Sequence, residues 1–293
     1  MNPNPQQCVM LSSNYSMPFI GIGTYKIVGR ETILNVLDEA LKVGYRSIDT
    51  AAVYRNEEDI GRALQSLLPK YNLTRENIFI TTKLSPIDHG DSRRIEKAVH
   101  NALTSLKVSY IDLFLIHWPG KSGISESSSA NREFRSETWK TLVKLKSQGL
   151  LRSIGVSNYN IKHLGQLLEN CYGIRPAVNQ VECHPHYKQT ELIKFCEEEG
   201  IHVQAYSSLG TSNYKSLLKD PIVCRVANEL AVSPARVLLK WALQQNIGII
   251  PKAVQKVHIR DNFQLQFKIH DDQMIALSSL TQTKYAWDPD NVA

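Results

Sequence analysis

An α/β barrel of eight strands, a (β/α)8 or TIM barrel, is the fold class predicted by this sequence of 293 residues. Short apolar runs rich in Ile, Leu, Phe and Thr alternate with amphipathic stretches, and the alternation recurs eight times. The connections are short, and no Pro/Gly-rich linker or shift in composition interrupts the series. Because right-handed crossovers close such a series into a barrel, we expect a single domain over residues 1–293.

The predicted elements begin with an N-terminal β-hairpin at residues 8–20, which could cover the bottom of the barrel. The barrel strands are expected at residues 19–25, 45–50, 78–84, 110–118, 152–158, 177–183, 202–208 and 246–252. Helices with apolar residues at 3.6-residue spacing are expected at 31–44, 56–68, 91–108, 136–149, 160–171, 188–200, 233–246, 256–263 and 271–280. Gly44 is typical of a helix C-terminus and Asp91 of an N-cap.

Two polar stretches, residues 119–135 and 209–219, are predicted to be loops. Both follow the carboxyl ends of strands, the face on which barrel enzymes place their active sites. We therefore expect these loops and the C-terminal tail to shape any binding pocket.

The composition bears on cellular location. No run of 18 or more apolar residues occurs, so no membrane span is expected. The N-terminal residues lack the basic and apolar regions of a signal peptide, and the five cysteines show no paired spacing. These features favour a cytoplasmic protein with reduced thiols.

The net charge of +6 raises the question of nucleic-acid binding. The basic residues are spread through the helices, with no aromatic-interleaved stripe and no run of five or more. A nucleic-acid partner is therefore not expected, and attraction for a small polyanion such as a phosphorylated cofactor fits better.

Four polar residues lie at or just beyond the ends of three predicted strands. Asp49, Lys83 and His117 end apolar runs, and Tyr54 follows Asp49 closely. Because the carboxyl ends of parallel strands open on one face, we expect an acid, a base, a phenol and an imidazole to meet there. Any one of them could be a capping or core residue, but four in register with the strands indicate a catalytic site.

This set suits the reduction of a carbonyl group, which requires a proton donor at the carbonyl oxygen. We assign Tyr54 as general acid and Lys83 as the cation expected to lower the pKa of the phenol. Asp49 would hold the ammonium, and His117 would orient the carbonyl by a hydrogen bond.

The chain resembles the aldo-keto reductases along almost its whole length. The matching stretches are MPFIGIGTYK, GYRSIDTAAVYRNEEDIGRAL, IFITTKL, YIDLFLIHWP, RSIGVSNY, AVNQVECHP, QAYSSLG and IIPKA. The resemblance implies reduction of aldehydes and some ketones with NADPH, which is oxidised to NADP+. The residues Asp49, Tyr54, Lys83 and His117 match the catalytic tetrad of that family.

The resemblance also implies a cofactor site and a substrate site. The expected cofactor contacts are Thr24, Tyr25, Asp49, Ser157, Asn158, Gln180, Tyr206, Ser207, Leu209, Lys252, His258, Asp261 and Asn262. The expected substrate contacts are Tyr25, Tyr54, His117 and Trp118. Among the cofactor contacts, Tyr206 would stack on the nicotinamide and Lys252 would meet the adenosine 2′-phosphate. No G-x-G-x-x-G motif is present, which fits a barrel rather than a Rossmann fold.

The sequence departs from the family pattern after Lys252. Where the family usually has Ser and Arg, this chain has Ala253 and His258. The missing guanidinium would weaken the preference for NADPH over NADH unless Lys256 or Arg260 compensates.

Three alternatives remain open on the sequence. The same fold could serve as a catalytically silent cofactor-binding or structural protein. A metal-dependent barrel hydrolase is a second possibility, although Cys183 and His184 point to opposite faces of a strand and no metal site is expected. Trp287 could fold over the substrate pocket or could only anchor the tail.

The substrate is left open among dicarbonyls, lipid aldehydes and prostaglandin-type carbonyls or endoperoxides. The loop 209–219 is short compared with that of the steroid-handling members of the family that the chain resembles. We therefore expect activity on small aldehydes and dicarbonyls, weak activity on steroids, and a monomer, because no apolar helix stripe is left over.

Overall fold

The computed structural model of the protein describes residues 7–211 and 214–293, except for the side chains of residues 214 and 215. The N-terminal hairpin is present, with β1 (Cys8–Met10) antiparallel to β2 (Ser16–Pro18). Eight parallel strands follow: β3 (Ile22–Gly23), β4 (Ser47–Asp49), β5 (Phe79–Leu84), β6 (Ile111–Ile116), β7 (Leu151–Ser157), β8 (Val178–Glu182), β9 (His202–Tyr206) and β10 (Gly248–Ile249).

The strands pair in sequence order from β3 to β10, and the sheet closes on itself. A parallel bridge joins Ile20 to Ile249, and the Ile249 amide donates to the Phe19 carbonyl at 2.7 Å. The predicted (β/α)8 barrel with an N-terminal hairpin is confirmed. The first and last strands are shorter than predicted, because regular pairing covers only a few residues on each side of this closure.

The helices surround the barrel. They are α1 (Arg30–Val43), α2 (Glu57–Lys70), α3 (Ser92–Leu106), α4 (Ala130–Ser147), α5 (Ile161–Glu169), α6 (Thr190–Glu198), α7 (Tyr214–Leu218), α8 (Pro221–Glu229), α9 (Pro234–Leu243), α10 (Lys256–Asp261) and α11 (Asp271–Ser278). Gly44, with φ of 121°, ends α1, and the Asp91 side chain accepts from the first amides of α3. Both predicted caps are present.

Two parts of the helical pattern differ from the prediction. The polar stretch before α4 is shorter than expected, since the helix already begins at Ala130. Helices α7 and α8 lie where no helix was predicted. The start of α8 carries a recognisable signal, because Asp220 caps the Ile222 amide at 2.8 Å and Pro221 occupies the first turn.

The apolar core lies in two places. Leu11 and Met17 of the hairpin pack on Leu113, Leu115 and Val178, and so close the N-terminal end of the barrel. A larger core lies between the sheet and the helices. The opposite end of the barrel, where the strand carboxyl ends meet, is left for polar side chains. No helix in the described part of the chain is long and apolar enough to span a bilayer.

Candidate active site

A buried ion pair joins two neighbouring strands at the carboxyl end of the barrel. The Lys83 Nζ of β5 donates to Asp49 Oδ1 of β4 at 2.6 Å and to the Thr50 carbonyl at 2.8 Å. The second carboxylate oxygen, Asp49 Oδ2, accepts from Gln180 Nε2 of β8 at 2.7 Å. Burial lowers the pKa of Lys83, and the Asp49 carboxylate opposes that shift. The ammonium is held on two sides and therefore has a fixed orientation.

Tyr54 is carried by a short 3-10 turn (Ala52–Tyr54) that follows β4. Its ring centroid lies 5.1 Å from Lys83 Nζ and 5.1 Å from the ring centroid of Tyr25. The turn is anchored by Asn56, a residue to which the sequence analysis gave no role. The Asn56 amide donates to the Thr24 carbonyl at 3.0 Å, and its side-chain oxygen accepts from the Thr50 hydroxyl at 2.6 Å.

The pKa of the phenol differs from the sequence-based expectation. Burial raises the pKa of Tyr54 well above its ordinary value, and the nearby Asp49 carboxylate adds to the shift. The predicted net lowering by Lys83 is not observed in this structure, because desolvation disfavours the phenolate and Asp49 offsets the ammonium. Tyr54 therefore carries its proton at neutral pH, which is the form that a proton donor needs.

His117 lies directly after β6, with its ring centroid 5.8 Å from that of Tyr54. The Asn158 amide donates to the His117 carbonyl at 2.9 Å and so fixes the backbone there. Burial, with smaller contributions from Lys83 and His89, lowers the pKa of His117 well below its ordinary value. The imidazole is neutral at neutral pH, and its Nδ1 has no protein partner among the described residues.

Aromatic side chains extend from His117 toward solvent. The His117 ring stacks on Trp118 with centroids 5.9 Å apart, and Trp118 meets Trp287 edge-on at 4.8 Å. Tyr25 and Trp287 are 46% and 42% exposed, which leaves aromatic surface open beside the phenol. Trp287 of the C-terminal tail therefore packs on Trp118 at the edge of the site.

The residues expected around a nicotinamide are brought together on β7, β8 and β9. The Ser157 hydroxyl donates to the Gln180 carbonyl at 2.7 Å. The Tyr206 hydroxyl donates to Asn158 Oδ1 at 2.6 Å, and Asn158 Nδ2 donates to Ser157 Oγ at 3.1 Å. These side chains form one hydrogen-bonded cluster, which Gln180 connects to Asp49.

Three other expected cofactor contacts are engaged within the protein. The Thr24 hydroxyl is fully buried and donates to the Asp49 carbonyl at 2.9 Å. The Ser207 hydroxyl bonds to that of Thr211, and Leu209 packs half-buried against the core. Thr24 therefore positions the catalytic strand, whereas Ser207 and Leu209 lie on the loop after β9.

Of the expected cofactor contacts after β10, some side chains are exposed and others are bonded within the protein. Lys252 and His258 are exposed, and Lys252 has no acidic partner within 4 Å among the described residues. Asp261 accepts from the Ser233 hydroxyl at 2.5 Å, and Asn262 is buried. Arg260 turns away to Glu39, at 2.6 Å, so the compensation considered for it is not available in this structure.

The residues present fit a phosphorylated nicotinamide cofactor. A cation without an acidic partner, Lys252, lies after β10, the position expected for a phosphate. The amides of Asn158 and Gln180 and the Tyr206 ring could hold the carboxamide and face of a nicotinamide. Across residues 7–211 and 214–293, no group of three or more His, Cys, Asp or Glu is placed to hold a metal ion.

Two polar residues near the site, Glu57 (half-buried) and His89, were not identified from the sequence. Glu57, at the start of α2, accepts from the Thr82 hydroxyl at 2.6 Å, and burial raises its pKa against the effect of Lys83. His89 is fully buried, and neither ring nitrogen has a protein partner in the described chain. The sequence carries no specific signal for either residue, since Glu57 follows the end of β4 by eight residues and His89 follows the end of β5 by five.

Comparison with known proteins gives the family. The model of the aldo/keto reductase family matches residues 19–282. The chain belongs to the aldo/keto reductase family. It is therefore an oxidoreductase of a family that acts on carbonyl groups with a nicotinamide cofactor.

Individual aldo/keto reductases match over nearly full length. The chain is 36% identical to aldo-keto reductase family 1 member A1 of Bos taurus, covering 94% of this chain and 89% of that protein. It is 36% identical to the 9,11-endoperoxide prostaglandin H2 reductase of Trypanosoma cruzi, covering 99% and 97%. The aldose reductase structure from Schistosoma japonicum aligns with a TM-score of 0.86 at 33% identity, covering 96% and 94%.

Proposed function

We propose that this aldo/keto reductase uses NADPH to reduce aldehydes and some ketones to alcohols, with Tyr54 as the proton donor. The observation that carries the proposal is the convergence of Asp49, Lys83, Tyr54 and His117 at one end of the barrel.

In the proposed reaction, side chains of this protein supply the proton and orient the carbonyl group. A reduced nicotinamide cofactor held by Asn158, Gln180 and Tyr206 would supply the hydride for the carbonyl carbon. Tyr54, protonated at neutral pH, gives its proton to the carbonyl oxygen as negative charge develops there. Lys83, fixed by Asp49, then faces the phenolate and limits the cost of that charge. A neutral His117 would donate one hydrogen bond to the same oxygen and orient it.

We infer NADPH as the cofactor because of the charge available after β10. Lys252 is exposed and lacks an acidic partner within 4 Å among the described residues, as a group that meets a 2′-phosphate should be. His258 stands where the resemblance leads one to expect Arg, and Arg260 is paired with Glu39. The preference for NADPH over NADH should therefore exist but rest mainly on one lysine.

The test of the proposal is the variant Tyr54→Phe. Loss of the phenol should lower kcat for an aromatic aldehyde roughly a hundred- to ten-thousand-fold, the usual contribution of a general acid. Binding of NADPH should stay within about twofold, because the hydroxyl acts only in the transition state. The measurements are NADPH oxidation and fluorescence titration of the cofactor.

Tyr172→Phe is the matched control, since Tyr172 is 39% exposed and its hydroxyl bonds to that of Ser136 at 3.4 Å, away from the candidate active site. It should behave as wild type. Near-normal turnover of Tyr54→Phe would disprove the assignment. A wild-type protein that binds NADPH but turns over no aldehyde or ketone would instead support the silent cofactor-binding alternative.

We further propose that small aldehydes and dicarbonyls are better substrates than steroids. Trp118 and Trp287 offer an aromatic surface beside His117, but both Trp287 and Tyr25 remain largely open to solvent. A shallow pocket buries little of a large apolar ligand, and apolar burial contributes only about 25 cal/mol per Å2. Small reactive carbonyls depend less on buried area.

The measurement is kcat/KM for an aromatic aldehyde against a 3-ketosteroid, with the aldehyde expected to be favoured. A steroid preference of about tenfold or more, one step of roughly 1.4 kcal/mol, would contradict the shallow pocket.

We also propose that the enzyme is a cytoplasmic monomer, which light scattering and cell fractionation would test.

A further inference from the structure

The C-terminal tail segment (residues 282–287) docks on the loop that follows β8. The Thr283 amide donates to the His186 carbonyl at 2.5 Å. The Gln282 side chain accepts from the Lys188 amide at 2.8 Å and donates to the Pro185 carbonyl at 3.1 Å. The tail is thus fixed by main-chain and side-chain bonds on the rim of the barrel, beside the candidate active site.

One buried carboxylate holds the far end of the tail segment. Glu182, the last residue of β8, is 1% exposed. Its Oε1 accepts from the Tyr285 amide at 2.8 Å and its Oε2 from the Ala286 amide at 2.9 Å. The His184 Nε2 lies 3.1 Å from Oε1, and Lys284 Nζ lies 3.6 Å from Oε2. Both oxygens are thus occupied by groups of the tail and the β8 loop.

The protonation of Glu182 is consistent with this contact. Burial raises the pKa of its carboxyl, but bonds from His184 and from the amides of Ala286 and Tyr285 bring it below its ordinary value. The group is a carboxylate at neutral pH, and charge-assisted bonds to backbone amides are among the stronger hydrogen bonds in proteins.

The contact continues into the candidate substrate pocket. Tyr285 and Ala286 directly precede Trp287, whose ring packs edge-on against Trp118 at 4.8 Å. Trp118 stacks in turn on His117. A change in the two bonds of Glu182 would therefore move the outermost aromatic side chain of this series, while the strands below keep their own pairing.

We propose that Glu182 is a positioning residue that sets selectivity for carbonyl substrates with an aromatic or other bulky apolar group, by holding Trp287 against Trp118. The inference rests on the proposed carbonyl reduction, through which the selectivity is read. It goes beyond that function because it places a specificity determinant on a barrel strand, away from the reacting atoms.

The test compares an aromatic aldehyde with a small dicarbonyl such as methylglyoxal. In Glu182→Gln, one amide N–H group of the new side chain would face a donor of the tail, so the tail should detach. We expect KM for the aromatic aldehyde to rise about tenfold, or one step of roughly 1.4 kcal/mol. KM for methylglyoxal and kcat for both should stay within about twofold, because the tetrad is untouched.

Two tail variants complete the design. Trp287→Ala should reproduce the effect, and adding it to Glu182→Gln should raise KM no further, since both changes remove one wall. Ala286→Pro removes one donor to Glu182 from the surface side and should show the same KM pattern, which covers a failure of Glu182→Gln to fold.

The matched control is Asp112→Asn. Asp112 is also a buried carboxylate, but it pairs with Arg75 and Arg152 at the opposite end of the barrel. This variant should lower the melting temperature without changing the ratio of the two KM values. Amide hydrogen exchange at Tyr285 and Ala286 gives a readout independent of turnover, and it should accelerate in Glu182→Gln but not in Asp112→Asn.

Unchanged exchange at Tyr285 and Ala286 in Glu182→Gln would overturn the proposal, and so would faster exchange with an unchanged KM ratio. Equal increases in KM for both aldehydes would also overturn it, because a general loosening would then explain the effect. If the wild-type protein reduced neither aldehyde, the proposed function would fail and the selectivity role with it. The exchange data would show whether Glu182 still holds the tail.

Discussion

At the scale of single residues, phosphate binding at the cofactor site depends on which basic side chains are free of an acidic partner. Lys252 and Arg260 are close in sequence, yet Lys252 is exposed after the last strand, whereas Arg260 pairs with the buried Glu39 carboxylate. The same charge on neighbouring residues therefore serves different purposes, one available for a ligand and one holding α10 to α1.

Lys252→Met should weaken NADPH binding far more than NADH binding. Only NADPH carries the 2′-phosphate, and one charged contact is worth about 1.5–3 kcal/mol, or roughly ten- to a hundredfold in Kd. The measurement is fluorescence titration with both cofactors. An equal loss for the two would show that Lys252 does not contact the phosphate.

His258→Arg is the complementary variant. It restores the guanidinium that the family usually has at this position and should tighten NADPH binding, with NADH as the control. No gain would mean that Lys252 already satisfies the phosphate, or that Lys256 contributes.

At the scale of elements, the close approach of α2 to α3 depends on one glycine. A Cβ built on Gly61 of α2 would lie 2.6 Å from the carbonyl carbon of Leu106, which is backbone and cannot yield without moving α3. Gly165 of α5, by contrast, has open space around the same position. Because α2 follows directly after the turn that carries Tyr54, its packing also supports the active-site turn.

Gly61→Ala should therefore destabilise the protein by about 1–3 kcal/mol, as overpacking does. Gly165→Ala is the matched control and should be neutral or stabilising by up to about 1 kcal/mol, since alanine favours a helix. Urea unfolding measures both. Equal effects of the two variants would show that α2 and α3 can separate freely.

At the scale of the whole molecule, several buried histidines determine how stability varies with pH. Burial, with smaller contributions from Lys121 and Arg135, lowers the pKa of His89 to about 3. Burial also lowers the pKa of His202 to about 4, and that of His163 to about 4 against the opposing hydrogen bond with the Val292 carbonyl. In the unfolded chain these groups have a pKa near 6.5. Above that pH both states are neutral, whereas below it only the unfolded state takes up the proton.

The free energy of unfolding should therefore be highest above about pH 6.5, as far as these histidines determine it, and should fall between pH 6.5 and pH 4. Each histidine contributes roughly 1.4 kcal/mol per pH unit within that window. Urea unfolding at a series of pH values measures the slope, and His202→Gln should reduce it by about one histidine's share. A slope that is unchanged in this variant would mean that His202 is protonated in the folded protein.

Much of the fold and of the reaction centre follows from the sequence because the information is local. The alternation of strands and helices predicts the barrel, and the carboxyl ends of parallel strands necessarily share one face. Asp49, Lys83 and His117 could therefore be placed together before any coordinates were known. The sequence also contained the caps at Gly44 and Asp91, since these act within one turn of a helix.

Only the tertiary structure decided how distant segments meet. The Glu182 carboxylate and the Tyr285 amide are separated by 103 residues, and no periodic pattern links them. The position of Trp287 on Trp118, the pairing of Arg260 with Glu39 and the upward shift in the pKa of Tyr54 depend on such contacts and on burial. Hydrogen bonds and desolvation are set by three-dimensional surroundings, and a linear sequence does not specify those until the chain has packed.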